Sequence, residues 1–378
     1  MNTKTILLVL AICSYHPGVA QPTSDHPRLY EYLKAEGKNP SAYLIGKFAN
    51  HDVILLGEDH GVRENLLFIA GLIPKLYAAG VRNIAMEFGA SEDQSMLDSL
   101  VTADRYDDQT ARDIMFHYNV GWAYKEYTDL YRAAWELNRK QHPGARKFRI
   151  INMSYVFDWN AFDGHRSRIT MEKVFSKGPI DIYRADLINS EIIRNGEKVL
   201  ILTGTPHAYI KQEFPGSTEN PYQNADLGAR LFDRYPGRIF SIMLHQPFEI
   251  QESDTAQITS SGEKVIERMI KKLGNRPIGF DLRTDSVSSV TDSGTAACGH
   301  SGSGPGCLFN GYIFLTPLEG LTGCTLDSEF FKHKSWEDIL RGFPDPDWHK
   351  RPESLSEFWI QIKDFVDLRK RYHQSEGK

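Results

Sequence analysis

The sequence predicts an α/β fold: a mostly parallel sheet flanked by helices, with a loop-rich C-terminal extension. Two observations lead to this prediction. Short apolar runs of strand length alternate along the chain with longer amphipathic segments of helix length. The first two apolar runs, "DVILLG" (52–57) and "VRNIAMEF" (81–88), are separated by a segment long enough for a helical crossover between parallel strands.

The elements of the first half follow from periodicity and from residues that end helices. Residues 25–52 predict one or two short helices. In "ENLLFIAGLIPKLYAAG" (64–80) apolar residues recur every three or four positions, which predicts a helix that Pro74 should kink or interrupt and Gly80 should follow. Residues 92–142 predict further helices, the clearest at 124–140, and "KFRIINMS" (147–154) predicts the third strand.

The second half repeats this pattern more loosely. We expect helices at 166–177, 180–196 and 224–237, a fourth strand in "KVLILTG" (198–204) and a fifth in "RIFSIMLHQP" (238–247). Residues 253–307 are rich in Ser, Thr, Gly and Asp apart from one predicted helix at 262–274. "GYIFLTP" (311–317) predicts a lone strand. Residues 353–372 predict a final helix whose Phe358, Trp359, Ile362 and Phe365 face the body of the protein.

The N-terminus has the pattern of a cleaved signal peptide. Lys4 precedes a short apolar run (6–13), and Gly18 and Ala20 offer small residues at the −3 and −1 positions of a cleavage site. The run is too short to span a bilayer. We therefore expect a signal peptide at 1–20, an α/β core at 21–250, an extension at 251–378, and a periplasmic or secreted protein without a stable membrane anchor.

Because exported proteins fold in an oxidising environment, we expect a disulfide bond among the three cysteines that follow the signal peptide. Cys298 and Cys307 flank a glycine-rich loop that a bridge could close, although Cys324 could replace either partner. The overall charge is −5 with no basic stripe, which argues against nucleic acid as a partner. A small-molecule or peptide substrate is the expected partner.

Polar side chains follow the predicted strands where ligands bind in open parallel sheets. The residues that we expect to carry chemistry are Glu58, His60, Glu87 and His207. The expected substrate-binding residues are Glu64, Tyr155, Asp158, Arg166 and His245. Each of these five also has a structural interpretation: Glu64 could favour a helix N-terminus, Tyr155 and Asp158 could belong to an aromatic core, Arg166 could be solvated, and His245 could be a hydrogen-bonded core histidine.

Two kinds of chemistry fit these groups. His60, Glu87 and His207 together suit a divalent metal such as manganese, cobalt or zinc, which would activate water. Without a metal, His60 would be the general base and His207 would stabilise an oxyanion. Other templates are missing, since the chain has no G-x-S-x-G, no H-E-x-x-H, no P-loop and no G-x-G-x-x-G after the first strand.

Three short motifs carry a family resemblance. "GEDH" (57–60), "GTPH" (204–207) and the strand-end glutamate of "IAMEFG" (84–89) resemble the Tiki/TraB, ChaN and erythromycin-esterase superfamily, over residues 53–247. The resemblance implies an α/β fold. Tiki-like members are metal-dependent proteases, which would place His60, Glu87 and His207 at the metal with Glu58 beside them.

The other branches of the superfamily imply different activities. Erythromycin-esterase-like members hydrolyse an ester with water activated by the first-motif histidine, here His60. Their motif usually has one more residue between the glutamate and the histidine, although "HGVRE" (60–64) is similar. ChaN-like members bind haem. The expectation is thus an exported hydrolase of an ester or peptide bond, with a haem- or metal-binding protein without turnover as the alternative.

Overall fold

The computed structural model describes residues 26–211, 222, 226–247, 261–284, 287, 308–347 and 349–374. Within them the predicted fold class is confirmed: a mostly parallel seven-stranded sheet has helices on both faces, in the strand order β3-β2-β4-β1-β5-β7-β6. The strands are β1 (Val53–Glu58), β2 (Asn83–Ala90), β3 (Arg149–Ser154), β4 (Val199–Gly204), β5 (Ile239–Leu244), β6 (Ile278–Asp281) and β7 (Gly311–Phe314). Only β6 runs antiparallel to its neighbour.

The helices cover both faces of this sheet. They are α1 (Pro27–Glu36), α2 (Pro40–Lys47), α3 (Arg63–Ala78), α4 (Gln94–Thr102), α5 (Asp108–Tyr118), α6 (Lys125–Arg139), α7 (Arg168–Val174), α8 (Ile180–Ile188), α9 (Leu227–Arg234), α10 (Ser261–Lys272), α11 (Trp336–Arg341), α12 (Leu355–Phe365) and α13 (Leu368–Gln374). A π-helical turn, Asn189–Ile193, continues α8.

Alternate residues of the central strands feed two separate cores. On β1, Ile54 and Leu56 pack on one face with helices α2 to α6, whereas Val53 and Leu55 pack on the other with α1 and α8 to α10. Both cores are fully buried along the central strands, as expected for a parallel sheet covered on both sides. Both faces of the central strands are therefore closed to solvent by helices.

Several element boundaries differ from the sequence prediction. Helix α3 continues through Pro74 to Ala78 instead of being interrupted, since Ile73 and Leu76 on either side of the proline are fully buried. Packing of an apolar face outweighs one missing backbone donor there. "GYIF" is not a lone strand, because β7 pairs with β5 on one side and with β6, which the sequence did not reveal, on the other.

The predicted terminal helix is divided in two. It breaks after Phe365, and Asp367 then begins α13 by accepting a hydrogen bond from the Lys370 backbone N–H at 3.1 Å, as a capping residue does. The expected apolar face does pack on the body: Phe358 and Ile362 are buried, and Trp359 and Phe365 partly so.

Some predictions fall on residues outside the described ranges. These are the signal peptide at 1–20, Cys298 and Cys307, and most of the loop at 253–307. Cys324 is described and is a buried free thiol. None of the described helices is both long and apolar enough to cross a membrane.

Candidate functional site

The candidate site lies at the carboxyl edge of the sheet, by which we mean the side where the parallel strands end. Glu58 is the last residue of β1 and is 1% exposed. Its Oε1 accepts a hydrogen bond from the Tyr127 hydroxyl at 2.7 Å and lies 3.2 Å from Nδ1 of His60. The same Tyr127 hydroxyl accepts a bond from the Gly61 backbone N–H at 3.1 Å. Glu58 thus fixes the ring of His60, while Tyr127 holds the turn that follows.

A second carboxylate, Glu87, comes from β2. Its Oε2 accepts hydrogen bonds from the Thr203 hydroxyl at 2.8 Å and from the Gly204 backbone N–H at 2.7 Å, both at the end of β4. Its Oε1 lies 3.2 Å from the guanidinium of Arg184 on α8. Since β4 lies between β1 and β2 in the sheet, Glu87 and Glu58 flank the end of one strand.

His207 belongs to a second histidine–carboxylate pair. Its Nδ1 lies 2.7 Å from Oδ2 of Asp181, which also accepts the backbone N–H groups of Asp226 at 2.8 Å and Leu227 at 2.9 Å. The other carboxylate oxygen of Asp181 accepts a bond from Arg184 at 3.0 Å. Nε2 of His207 lies 3.5 Å from Oε1 of Glu87. The Glu87 carboxylate therefore faces both the His207 imidazole and the Arg184 guanidinium.

Gly204 lies between His60 and Glu87, and its lack of a side chain leaves room for both. A Cβ atom added at this position would lie 2.8 Å from Nε2 of His60 and 3.5 Å from Oε2 of Glu87. The first distance is far shorter than van der Waals contact, so any side chain here would displace the imidazole. The glycine of the "GTPH" motif is therefore required by the close approach of His60, not by the backbone conformation.

The pKa values of the three buried carboxyl groups shift in different directions. Burial raises the pKa of Glu58, against the hydrogen bonds from His60 and Tyr127 that favour its charged form. Burial also opposes ionisation of Glu87 and Asp181, but there Arg184 and His207 prevail and hold the pKa of both carboxyls below the usual range. The pKa of Glu58 is thus shifted in the opposite direction from the pKa values of Glu87 and Asp181.

The histidines respond to these carboxylates. Burial lowers the pKa of His207, but the charges of Asp181 and Glu87 outweigh it and the net shift is upward. Burial likewise lowers the pKa of His60, which the hydrogen bond to Glu58 and the charge of Glu87 raise overall. The side chains of His60 and His207 are 28% and 22% exposed, whereas Glu58 and Asp181 are at most 1% exposed. Water therefore reaches the imidazoles and not the carboxylates that orient them.

An aromatic wall packs against His60. Phe88 and Trp122 stack on each other at 4.1 Å between ring centroids, and the His60 ring stands nearly perpendicular to both, with centroid distances of 4.7 and 5.7 Å. Such a wall limits the rotation of the imidazole and lowers the local dielectric constant, which strengthens its interaction with Glu58.

The structure brings Glu58, His60, Glu87 and His207 together, and places the other predicted residues elsewhere. Glu64 binds the backbone and hydroxyl of Thr322 at 2.7 and 2.6 Å. Tyr155 is buried among aromatic rings and donates to the Gly178 carbonyl. Arg166 pairs with Asp345 and Asp347 at 2.6 and 2.7 Å.

The last two predicted residues have contrasting surroundings. His245 is buried, with its ring nitrogens facing the Tyr312 hydroxyl and, at 3.5 Å, the Glu267 carboxylate. Asp158 is exposed, accepts a hydrogen bond from the Asn160 backbone N–H at 3.2 Å and lines a cavity.

Sequence reasoning missed Asp181, Arg184 and Tyr127, because it considered only strand ends and all three lie on helices. One signal could have revealed the first two. The sequence places Asp181 and Arg184, of opposite charge, three residues apart in α8, which is the spacing of an ion pair on one helix face.

The donor set does not fit a metal ion. Both oxygens of Glu87 already accept hydrogen bonds, and the guanidinium of Arg184 occupies the position beside them where a second cation would be repelled. Across the described ranges, no group of three or more His, Cys, Asp or Glu side chains is arranged to hold a metal.

Comparisons with known proteins find similar folds and say nothing of the activity of this protein. No protein-family model and no curated protein matches the chain. A succinoglycan biosynthesis protein of known structure is 12% identical, with a TM-score of 0.53 over 77% of this chain and 97% of that one. A Bacillus cereus protein is 13% identical with a TM-score of 0.49 over 77% and 97% of the two chains.

A haem-binding protein, ChaN of Campylobacter jejuni, is 16% identical with a TM-score of 0.35 over 55% of this chain and 86% of that one. At these identities similarity concerns the fold alone, and the similarity to ChaN is too low to support an argument. The similarity to the succinoglycan biosynthesis protein is a similarity of fold over 77% of this chain.

Proposed function

We propose that this protein hydrolyses an ester or amide bond in a small molecule or peptide, with His60 as the general base. The observation that carries the proposal is the pair of solvent-reaching imidazoles, each held through Nδ1 by a buried carboxylate. In both histidines Nε2 is the nitrogen left to meet a substrate. Opposite shifts in neighbouring carboxyl groups assign their different roles.

The two histidines take different parts in the reaction. Nε2 of His60 removes a proton from water as the water attacks the carbonyl, and Glu58 holds the tautomer in which Nε2 is unprotonated. His207 lies between two carboxylates, Asp181 and Glu87, whose charges raise its pKa and favour the imidazolium form. It stabilises the oxyanion and then supplies the proton for the leaving group. The 3.5 Å separation from Glu87 is long for a hydrogen bond, so that proton is available to the substrate.

Replacing His60 tests the proposal directly. In a screen of esters and peptides, His60→Ala should lower kcat by about 10²- to 10⁴-fold on any substrate that the native protein turns over. His165→Ala is the matched control, since that histidine is on the surface with 87% of its side chain exposed. Native turnover should be unaffected by a chelator. Retained turnover in His60→Ala would refute the assignment, and a Soret band after addition of haem without any turnover would favour the binding alternative.

We also propose that the protein is exported, on the evidence of the N-terminal segment alone. The expected mature chain begins at Gln21. Mass spectrometry of the protein recovered from a secreting host should find that terminus, and a chain that keeps residues 1–20 would contradict export.

A further inference from the structure

Tyr127 places a buried hydroxyl group beside the candidate site. It lies on α6 and is fully buried, with its ring centroid 5.1 Å from that of Phe88 and 5.5 Å from that of Trp122. Its oxygen accepts the Gly61 backbone N–H at 3.1 Å, and its own proton is donated to Glu58 at 2.7 Å. Ring packing therefore places the hydroxyl, and its two hydrogen bonds fix the direction of its proton.

Few groups favour the charged form of Glu58. Oε1 accepts the Tyr127 hydroxyl and lies 3.2 Å from Nδ1 of His60, whereas Oε2 is buried without a hydrogen-bond partner among the described residues. In that part of the chain no lysine or arginine pairs with Glu58. Burial raises the pKa of the nearby Cys324 thiol, so it adds no cation. Removal of the Tyr127 hydroxyl should therefore allow Glu58 to take up a proton more easily.

The protonation state of Glu58 decides which nitrogen of His60 carries the proton. A carboxylate can only accept, so Nδ1 must donate to it and Nε2 of the neutral imidazole is free. A protonated Glu58 would donate to Nδ1 instead, and the imidazole proton would then be on Nε2. The pair then holds one proton more, and Nε2 cannot remove a proton from water.

Two other carboxylates act on His60 from a distance. The charges of Glu87 and Asp59 both raise the pKa of His60, and each of these carboxylates is paired with an arginine. Among the described residues, however, the hydrogen-bond partner of Nδ1 is Glu58. The choice of tautomer therefore depends on Glu58 and, through it, on Tyr127.

We propose that Tyr127 is a positioning residue whose hydroxyl keeps Glu58 a hydrogen-bond acceptor and thereby holds His60 in the tautomer with a free Nε2. Because Tyr127 is fully buried, it acts on the base and not on the substrate. The inference rests on the proposed function for its kinetic test, whereas the tautomer of His60 can be measured without turnover.

The kinetic test removes the hydroxyl and keeps the packed ring. Tyr127→Phe should lower kcat at neutral pH about tenfold and move the acid limb of kcat/KM to higher pH, because the Glu58–His60 pair takes up its proton more easily. Tyr131→Phe is the matched control, since Tyr131 is buried on the same helix and its hydroxyl has no hydrogen-bond partner in the described part of the chain. An acid limb at its native pH in Tyr127→Phe, or an equal displacement in Tyr131→Phe, would overturn the inference.

A nuclear magnetic resonance titration separates this inference from the proposed function. Nitrogen chemical shifts distinguish protonated from unprotonated imidazole nitrogens, and the signals lost in His60→Ala identify His60. Nε2 should acquire its proton at a pH about one unit higher in Tyr127→Phe than in the native protein or in Tyr131→Phe. That result supports the inference even if no ester or amide is hydrolysed. Protonation of Nε2 at the same pH in all three proteins would refute it even if turnover is found.

Discussion

At the scale of single residues, the pKa of each buried carboxyl depends on whether a cation lies beside it. Glu87 is buried against Arg184, accepts hydrogen bonds from Thr203 and Gly204 and faces His207, whereas Glu58 is buried against a tyrosine and a histidine. Burial penalises the charge of both, and only Glu87 has a permanent cation to offset that penalty. The two glutamates therefore differ in what they contribute to the stability of the folded protein.

That difference predicts unequal effects of glutamine substitutions. Glu87→Gln leaves Arg184 incompletely paired and should cost about 3 kcal/mol of unfolding free energy at neutral pH. Glu58→Gln keeps the hydrogen bond with Tyr127 and removes a costly buried charge, so it should cost less than about 1 kcal/mol. Urea unfolding monitored by circular dichroism measures both, and equal losses would contradict the assignment.

The same pair predicts a dependence on pH. Because the folded pKa of Glu87 is depressed, its contribution is complete above the pKa of an unfolded glutamate, about 4.3, and is lost as the pH falls below it. The stability penalty of Glu87→Gln should therefore shrink on acidification. Glu58 has a raised pKa, so ionising it costs stability as the pH rises, which is the opposite sign.

Asp181 should set the pH at which His207 acts as an acid. The charge of Asp181 raises the pKa of His207, and activity that needs the imidazolium is lost as the pH rises through that pKa. Asp181→Asn should therefore move the alkaline limb of the kcat profile to lower pH, besides lowering kcat. A limb at its native position would show that His207 is not the acid. His117, paired with Asp93 outside the site, gives the matched control Asp93→Asn.

Considering polar residues at the ends of predicted strands identified the site residues that lie on or directly after parallel strands. It missed the site residues that lie on a helix. Glu58 ends β1, Glu87 lies within β2 and His207 follows β4, so their convergence could be predicted from the apolar runs before them. Asp181 and Arg184 lie on α8 and reach the carboxyl edge of the sheet from there. The local periodicity of the sequence does not indicate where that helix packs. Their partners are distant in sequence, and such contacts are set by tertiary structure.

At the scale of elements, the C-terminal helices clamp the turn that carries His60. Arg371 of α13 donates to the His60 carbonyl at 2.9 Å and to the Phe365 carbonyl at 3.0 Å, and it pairs with Asp59. Tyr372 donates to Asp59 at 2.7 Å. Gly61, at φ 78°, lies so close to Val366 that an added Cβ would approach it to 2.9 Å. Asp59 thus fastens the turn to α13.

Removing the clamp should affect turnover more than folding. Arg371→Ala should lower kcat about tenfold, because a small displacement of His60 misplaces the base. The loss of unfolding free energy should stay below about 2 kcal/mol, because the Arg371 side chain is 25% exposed and solvent screens its ion pair. Arg369→Ala, exposed on the same helix, is the control. Unchanged kcat, with or without loss of stability, would contradict a positioning role.

At the scale of the whole molecule, the sheet does not end where the composition changes. The shift to Ser, Thr, Gly and Asp after residue 250 suggested an extension packed on a finished core. Yet β7 pairs with β5 in parallel and β6 with β7, and both strands contribute fully buried side chains such as Phe280 and Phe314. A strand of four residues among polar loops carries little periodicity, so sequence reasoning had no signal for β6.

Truncation tests whether residues 21–250 fold without the remainder. A chain ending at residue 250 loses both strands and the buried Phe358 and Ile362 of α12, leaving the edge of β5 unpaired and apolar surface exposed. We expect it to aggregate or to lose a cooperative thermal transition. A chain ending at Gln374 keeps every described element and should melt as the full chain does. A soluble, cooperatively folding 21–250 fragment would show that the later strands join an autonomous domain, and the dependence of His60 on α13 could then be measured by adding residues 251–378 in trans.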